Sequence, residues 1–340
     1  MNLERVTADK LNINDKIFDT LKEDYKEFGE WFKKIQEEKR KCIISKDENQ
    51  NLVALMIYKE ENEQIELANN RIIDKNPRLK ISTFIVTMNH FKFGEALIKI
   101  AVDECMKLGI TEIYLTHFIK QNDSLVNLIS KYGFMQKGKN YRSEAVFLKR
   151  LRPETAIKIE NYAEFNNEYY PSFYDGKNVN KFIIPIRPDF YRRLFVSEQM
   201  ALFGNPVASI NTIEKIYLSN SKNKIIKGGD LIIFYRSHDK HCILEIGIVE
   251  SICRTSDKNH IAKFVGDRSV YTKKELASEN KEKLIIKFNN VFPLRNSLSI
   301  EDLVKYKILK SAPQSITEIS EESYKVIKKE GGIDESFTFN

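Results

Sequence analysis

The chain has 340 residues, a formal net charge of +7, 42% apolar and 11% aromatic side chains. That length suggests two domains, and the apolar content excludes a disordered chain. With 13 Gly and 8 Pro, collagen-like and low-complexity classes are excluded too. No apolar run approaches the ~18–20 residues that cross a bilayer, and MNLERVTADKLNIND lacks the apolar core of a signal peptide. The expectation is a cytoplasmic protein with no membrane segment. Cys42, Cys105, Cys242 and Cys253 are scattered without a CxxC pair, so neither a zinc site nor a disulfide framework is expected, and no metal. The basic balance suits an anionic partner, either nucleic acid or a phosphorylated cofactor.

In chain order, Lys16–Lys39 reads as a helix with Gly29 its weakest point. Phe18, Leu21, Tyr25, Phe28, Trp31 and Phe32 recur at three- and four-residue spacing, as one buried stripe requires. KCIIS (41–45) and LVALMIYK (52–59) read as strands around a polar hairpin turn. Gln64–Ala68 and Lys80–Thr87 are two more strands. A helix over Gly94–Leu108 ends at Gly109, as a C-terminal Gly ends helices. Strand Glu112–Thr116, helix Asn122–Lys131, a Tyr132-Gly133-Phe134 turn and strand Ala145–Lys149 complete a mixed α/β half.

The strand, turn and helix at the centre of that order, with IKIAVDECMKLGITEIYLT and NDSLVNLISKYGFMQKG, resemble the GNAT acyl-CoA-dependent N-acetyltransferase superfamily over residues 1–150. The resemblance implies a GNAT acyltransferase fold with acetyl-CoA as co-substrate. It places the cofactor on Val86, Met88, Asn89, Phe91, Lys92, Phe93, Gly94, Glu95 and Asn122. A glycine-containing turn at a helix N-terminus offers backbone N–H groups to a pyrophosphate. The extended pantetheine arm can pair with a strand edge. A backbone N–H can polarise the thioester carbonyl. Of the family's Arg/Gln-x-x-Gly-x-Gly/Ala turn only Gly94 is matched; Asn89 and Lys92 stand where Arg or Gln and the first Gly are expected. The family's frequent leaving-group Tyr falls on Ile129, so Tyr132 and Tyr141 are the alternatives, with Tyr114 near them. Glu66 and His117 are the candidates to relay a proton from the acceptor amine. Each of these four catalytic candidates also reads plainly as a strand-face, strand-end or core residue. Asn122 is placed to cap the following helix.

Residues 151–180, with the aromatic and Asn-rich NYAEFNNEYYPSFYDGKNVN, read as a linker or docking segment. From Lys181 to the end, short apolar alternations separated by Gly, Pro and Asn turns read as a small β-barrel with a few helices. Lys-Gly-Gly-Asp (227–230) before an apolar strand, the following Gly-Ile-Val-Glu strand, and Pro313-Gln314-Ser315-Ile316 resemble the PUA-like group, ASCH or EVE-type domains within it. That resemblance implies RNA or modified-base recognition. Arg187, Arg192 and Arg236 would meet phosphates, Tyr191 and Tyr235 would stack bases, and Gln314 and Ser315 would read a base edge. Ser315-Ile-Thr-Glu318 equally fits a helix-capping box. His238-x-x-His241 reads as a hairpin tip.

The fold class expected is therefore an α/β GNAT acyltransferase fold followed by a PUA-like β-barrel. The function expected is acetyl-CoA-dependent N-acetyl transfer directed to RNA or an RNA-associated protein. A degenerate GNAT scaffold or sensor and an acetylating toxin or defence effector are the alternatives. Edge-strand pairing leaves a homodimer open.

Overall fold

A computed structural model describes residues 2–87, 92–155, 158–195, 211–265 and 282–340. The chain divides into two compact units, one built on Met1–Leu151, the other on Arg152–Val196 and Ile213–Asn340. Among the described residues no helix is long and apolar enough to cross a membrane.

The first unit is a seven-stranded mixed sheet. Its strands are β1 (Glu4–Thr7), β2 (Lys41–Lys46), β3 (Leu52–Glu61), β6 (Arg78–Val86), β7 (Glu112–His117), β9 (Ala145–Arg150) and β8 (Phe134–Lys139), in that spatial order. The run Leu52–Tyr58 is buried throughout, because both sheet faces are covered. Helix α1 (Asp19–Asp24) and helix α2 (Phe28–Glu37) cover one face. Phe28, Phe32 and Ile35 pack there on Cys42, Ile44, Leu55 and Ile57. Helix α3 (Phe93–Leu108) lies on the sheet and is buried almost continuously from Phe93 to Val102. Gly109 ends it in the left-handed conformation at φ 68°. Helix α4 (Ser124–Lys131) follows β7.

Three expectations are corrected here. The first helical stretch breaks at Tyr25, which turns extended at ψ 109°, and Gly29 sits inside α2. The stretch around Glu66 leaves the main sheet and forms a separate hairpin of β4 (Ile65–Leu67) and β5 (Arg71–Ile73). That hairpin packs Ile65 and Leu67 on Tyr114, Val146 and Leu148. The cap of α4 is Asp123, whose carboxylate accepts the Leu125 and Val126 N–H groups; Asn122 is exposed at φ 54°.

The second unit begins in the segment expected to be a linker. Helix α5 (Tyr162–Glu168) and strand β10 (Phe173–Tyr174) are part of its core, since Phe165, Phe173, Tyr174 and Val179 pack on Ile183, Leu231 and Ile246. The aromatic residues that gave this stretch no period are what tie it down. β10 pairs with the C-terminal β17 (Thr338–Phe339). The main sheet has six strands in the order β12 (Glu214–Ser219), β15 (Lys283–Ser299), β14 (Cys242–Thr255), β13 (Leu231–Arg236), β11 (Lys181–Ile186) and β16 (Thr317–Ile319). Among the described residues no ladder joins β12 to β16, so in place of the expected small β-barrel the described strands form a sheet that does not close. The long β14 and β15 carry three register shifts against each other, and such bulges bend a sheet. Helices α6 (Pro188–Leu194), α7 (Lys258–Val265), α8 (Ile300–Lys305) and α9 (Glu321–Glu330) complete the unit.

The Gly228-Gly229-Asp230 turn is structural. Gly229 sits at φ 88°, and the buried Asp230 accepts the Asn180 and Lys227 N–H groups. The capping box expected at Ser315 is overturned, because Thr317 and Glu318 enter β16. Ser299 and Asp302 make such a box on α8, and Ser320 caps α9.

Candidate functional site

Where the second unit's sheet stays open, a cleft of about 870 Å³ lies between β11, β12, β13 and residues 312–316. Tyr235, fully buried on β13, forms part of its wall, and its hydroxyl has no hydrogen-bond partner among the described residues. Burial raises the phenol above its ordinary value, so it stays a neutral donor at physiological pH. Tyr217 on β12 is also in the wall and donates to the Pro185 carbonyl at 2.9 Å. Phe190 supplies an aromatic face, with the Arg187 guanidinium 5.6 Å from its ring centre. Lys283 and the hairpin-tip histidines His238 and His241 also line the cleft.

Of the seven residues expected to meet nucleic acid, Arg187, Tyr235, Gln314 and Ser315 line this cleft. Gln314 and Ser315 are exposed. Tyr191, Arg192 and Arg236 do not line it. Tyr191 is buried under α6 and donates to Glu245 at 3.0 Å, which leaves its ring no room to stack a base. Arg236 is engaged by Asp239 and lies over the Tyr191 ring, 4.9 Å from its centre. Arg192 is exposed on the helix surface. Sequence reasoning missed Tyr217 and Lys283. They sit on strands far apart in the chain, and no local pattern marks residues that a coiled sheet brings together.

In the first unit, β6 and β7 run parallel but pair only from Leu79–Ile113 to Ile81–Leu115. β6 continues to Val86 and β7 to His117, so the two strands diverge. Val86, still paired with Ala54 of β3, ends the strand. Met88, Asn89 and Phe91 lie outside the described residues. Lys92 precedes α3 in the left-handed conformation at φ 52°. Phe93, Gly94 and Glu95 are buried in the first turn. A Cβ on Gly94 would stand 2.4 Å from the Leu128 side chain, so this glycine serves the approach of α3 to α4. What these three positions can offer an anion is backbone N–H alone.

The four catalytic candidates are not brought together. Glu66 is exposed on the separate hairpin and accepts from Gln64 at 3.2 Å. His117 closes on Asp123 at 2.7 Å. Tyr132 is buried at the end of α4. Tyr141 is 63% exposed and donates to Asn70 at 3.3 Å. Beside the diverging strands lies a smaller pocket of about 330 Å³, walled by Tyr25, Phe28 and Trp31 and reaching Thr116 and Glu144. The Tyr25 hydroxyl donates to Glu144 at 2.5 Å, and burial with that carboxylate raises the phenol far above its ordinary value. Glu144 follows a polar loop, where its sequence gives no sign of burial.

A family model of the EVE domain matches residues 214–330. The matched residues run from β12 through α9 and contribute Tyr217, Tyr235, Lys283, Gln314 and Ser315 to the cleft; Arg187 and Phe190 come from the chain before the matched region. Three of the solved structures similar to parts of the chain are as follows. The ASCH protein from Zymomonas mobilis is 12% identical, covers 44% of this chain and 94% of its own, and has a TM-score of 0.34. An aminoglycoside 6'-acetyltransferase type Ii is 16% identical, covering 46% of this chain and 100% of its own with a TM-score of 0.34. A NatC complex bound to Gag peptide and CoA is 17% identical, covering 44% and 96% with a TM-score of 0.28. No curated protein matches the chain.

Proposed function

We propose that the second unit holds one base of a nucleic acid in its cleft, and that the first is an acetyl-CoA-dependent N-acetyltransferase whose acceptor is RNA or an RNA-associated protein. The observation that carries the reading is the lining of the cleft, which sets the Phe190 and Tyr217 rings beside Arg187 and Lys283. Phe190 offers a stacking face, and Arg187 and Lys283 suit flanking phosphates. The EVE match agrees with this assignment.

Fluorescence anisotropy of the full chain with a labelled single-stranded RNA tests it. The expected result is salt-sensitive binding that free nucleosides compete away and Phe190→Ala weakens. RNA binding that no nucleoside displaces would overturn the base-holding cleft.

The acetyltransferase reading rests on the divergence of β6 and β7. Past Ile81, β6 offers an edge to which an amide-bearing thioester arm can pair, with a backbone N–H to polarise its carbonyl. The first-turn amides of α3 would meet the pyrophosphate. Calorimetric titration of acetyl-CoA into the full chain, with Lys92→Ala as comparison, tests this part. The burial of Phe93, Gly94 and Glu95 favours one alternative, a scaffold without cofactor. Absence of binding at millimolar acetyl-CoA would decide for it.

A further inference from the structure

We propose that the pocket between α1, α2 and the diverging strands binds a molecule carrying a single ammonium group on an aromatic or aliphatic body, with Glu144 as the residue that receives the ammonium. As the acceptor site of an acetyltransferase it rests on the reading above; as a binding site it stands alone.

Glu144 is 6% exposed, yet its carboxylate is held only by neutral donors. Tyr25 donates at 2.5 Å and Thr116 at 3.3 Å to one oxygen, and the Asn140 amide at 2.7 Å to the other. Among the described residues no Lys, Arg or His forms an ion pair with it. Buried carboxylates are ordinarily paired with a cation, because desolvation penalises a lone charge. A carboxylate accepts about four hydrogen bonds, so three donors leave it acceptor capacity. It lines a pocket whose walls are Tyr25, Phe28 and Trp31. Aromatic faces attract ammonium groups and pack an apolar body. The place of the buried carboxylate and its aromatic lining therefore call for the same kind of ligand.

The other cations of the pocket set its limits. Arg40 is answered by Glu38 at 2.6 Å, whereas Lys59 and Lys80 share the single carboxylate of Glu61. Arg142 is exposed at the same pocket. Glu27, exposed at the same pocket, is its other carboxylate, so four cations stand against two carboxylates. Glu144 is the buried one of the two and takes a single ammonium, and the cations disfavour a second, so a monoamine is preferred to a polyamine.

Trp31 is the one tryptophan of the chain and lines the pocket, so its fluorescence reports occupancy directly. The full chain is titrated with 2-phenylethylamine, phenylacetate and spermidine, without any acyl-CoA. The expected result is a saturable change with 2-phenylethylamine, none with the other two, and affinity about tenfold or more weaker in Glu144→Gln, as loss of a charge-assisted hydrogen bond implies. Equal responses to amine and acid, no saturable response to the amine, or an unchanged affinity in Glu144→Gln would overturn it. If Glu144→Gln fails to fold, the three probes on the unaltered chain decide. Thiol release from acetyl-CoA with 2-phenylethylamine present is a separate readout. Binding without release keeps the ammonium site and tells against the acetyltransferase reading.

Discussion

The Tyr217 hydroxyl on β12 donates to the Pro185 carbonyl on β11 at 2.9 Å, joining two strands that stand near opposite ends of the six-stranded sheet. β16 pairs with β11 only over Lys181–Ile183, so Pro185 lies past the end of that ladder. One side chain thereby does at the cleft what a further strand pairing would do in a closed barrel. Both residues line the cleft, so its width depends on this bond.

Tyr217→Phe keeps the ring and deletes the bond. The expected loss is about 1 kcal/mol of stability, the usual worth of one internal hydrogen bond, together with weaker RNA binding. Urea unfolding and anisotropy measure the two. Unchanged RNA affinity would mean that the bond does not set the cleft.

Tyr235→Phe removes a buried hydroxyl that has no partner among the described residues. The melting temperature should therefore stay level or rise. Thermal unfolding measures it, and a clear fall would show that the fold itself uses the hydroxyl.

Gly94→Ala places a methyl 2.4 Å from the Leu128 side chain. Overpacking of that kind costs about 1–3 kcal/mol. Leu128 is only half-buried and can yield, so a cost near the lower end is expected. In a double-mutant cycle Leu128→Ala should absorb much of the Gly94→Ala penalty, giving clear non-additivity. Additive effects would show that the two helices do not meet there.

The pH dependence of stability has two limbs. Burial opposes the charge on Glu112, but Asn76, Arg78 and Arg150 together hold its carboxyl below its ordinary 4.5. Arg78, itself buried, donates to it at 2.6 Å. A lowered carboxyl stabilises the fold above its unfolded value, and that stability is lost as pH falls below 4.5 through the folded value. Burial pushes Tyr58 and Tyr217 up to about 12. Their contribution is complete below their ordinary 10 and lost as pH rises from 10 towards 12. Unfolding midpoints measured from pH 2 to 7 should drop less steeply at the acid end in Glu112→Gln, from a lower plateau.

Elements were legible wherever local pattern suffices. The apolar run at Leu52–Tyr58 reads as a strand covered on both faces, and Gly109 reads as a helix end; both reflect periodicity and backbone conformation that neighbouring residues settle among themselves. Placement was not legible. Glu66 stands in a strand as expected, but the strand belongs to a hairpin apart from the main sheet. Tyr191 and Arg236 read as contacts for nucleic acid, yet Tyr191 is buried against Glu245 and Arg236 is paired with Asp239 at the surface.

The sequence by itself determined two halves of different texture, the strand–turn–helix order of the first, and Arg187, Tyr235, Gln314 and Ser315 as residues of interest in the second. Only the tertiary structure decided that these four share one cleft, and that Glu144 is buried beside Tyr25 with no ion pair among the described residues. Alternation and caps are properties of adjacent residues. A cleft, an unanswered hydroxyl and an unpaired carboxylate arise where residues more than a hundred positions apart meet, as Tyr25 and Glu144 do across 119, and such meetings are fixed by packing of the whole fold.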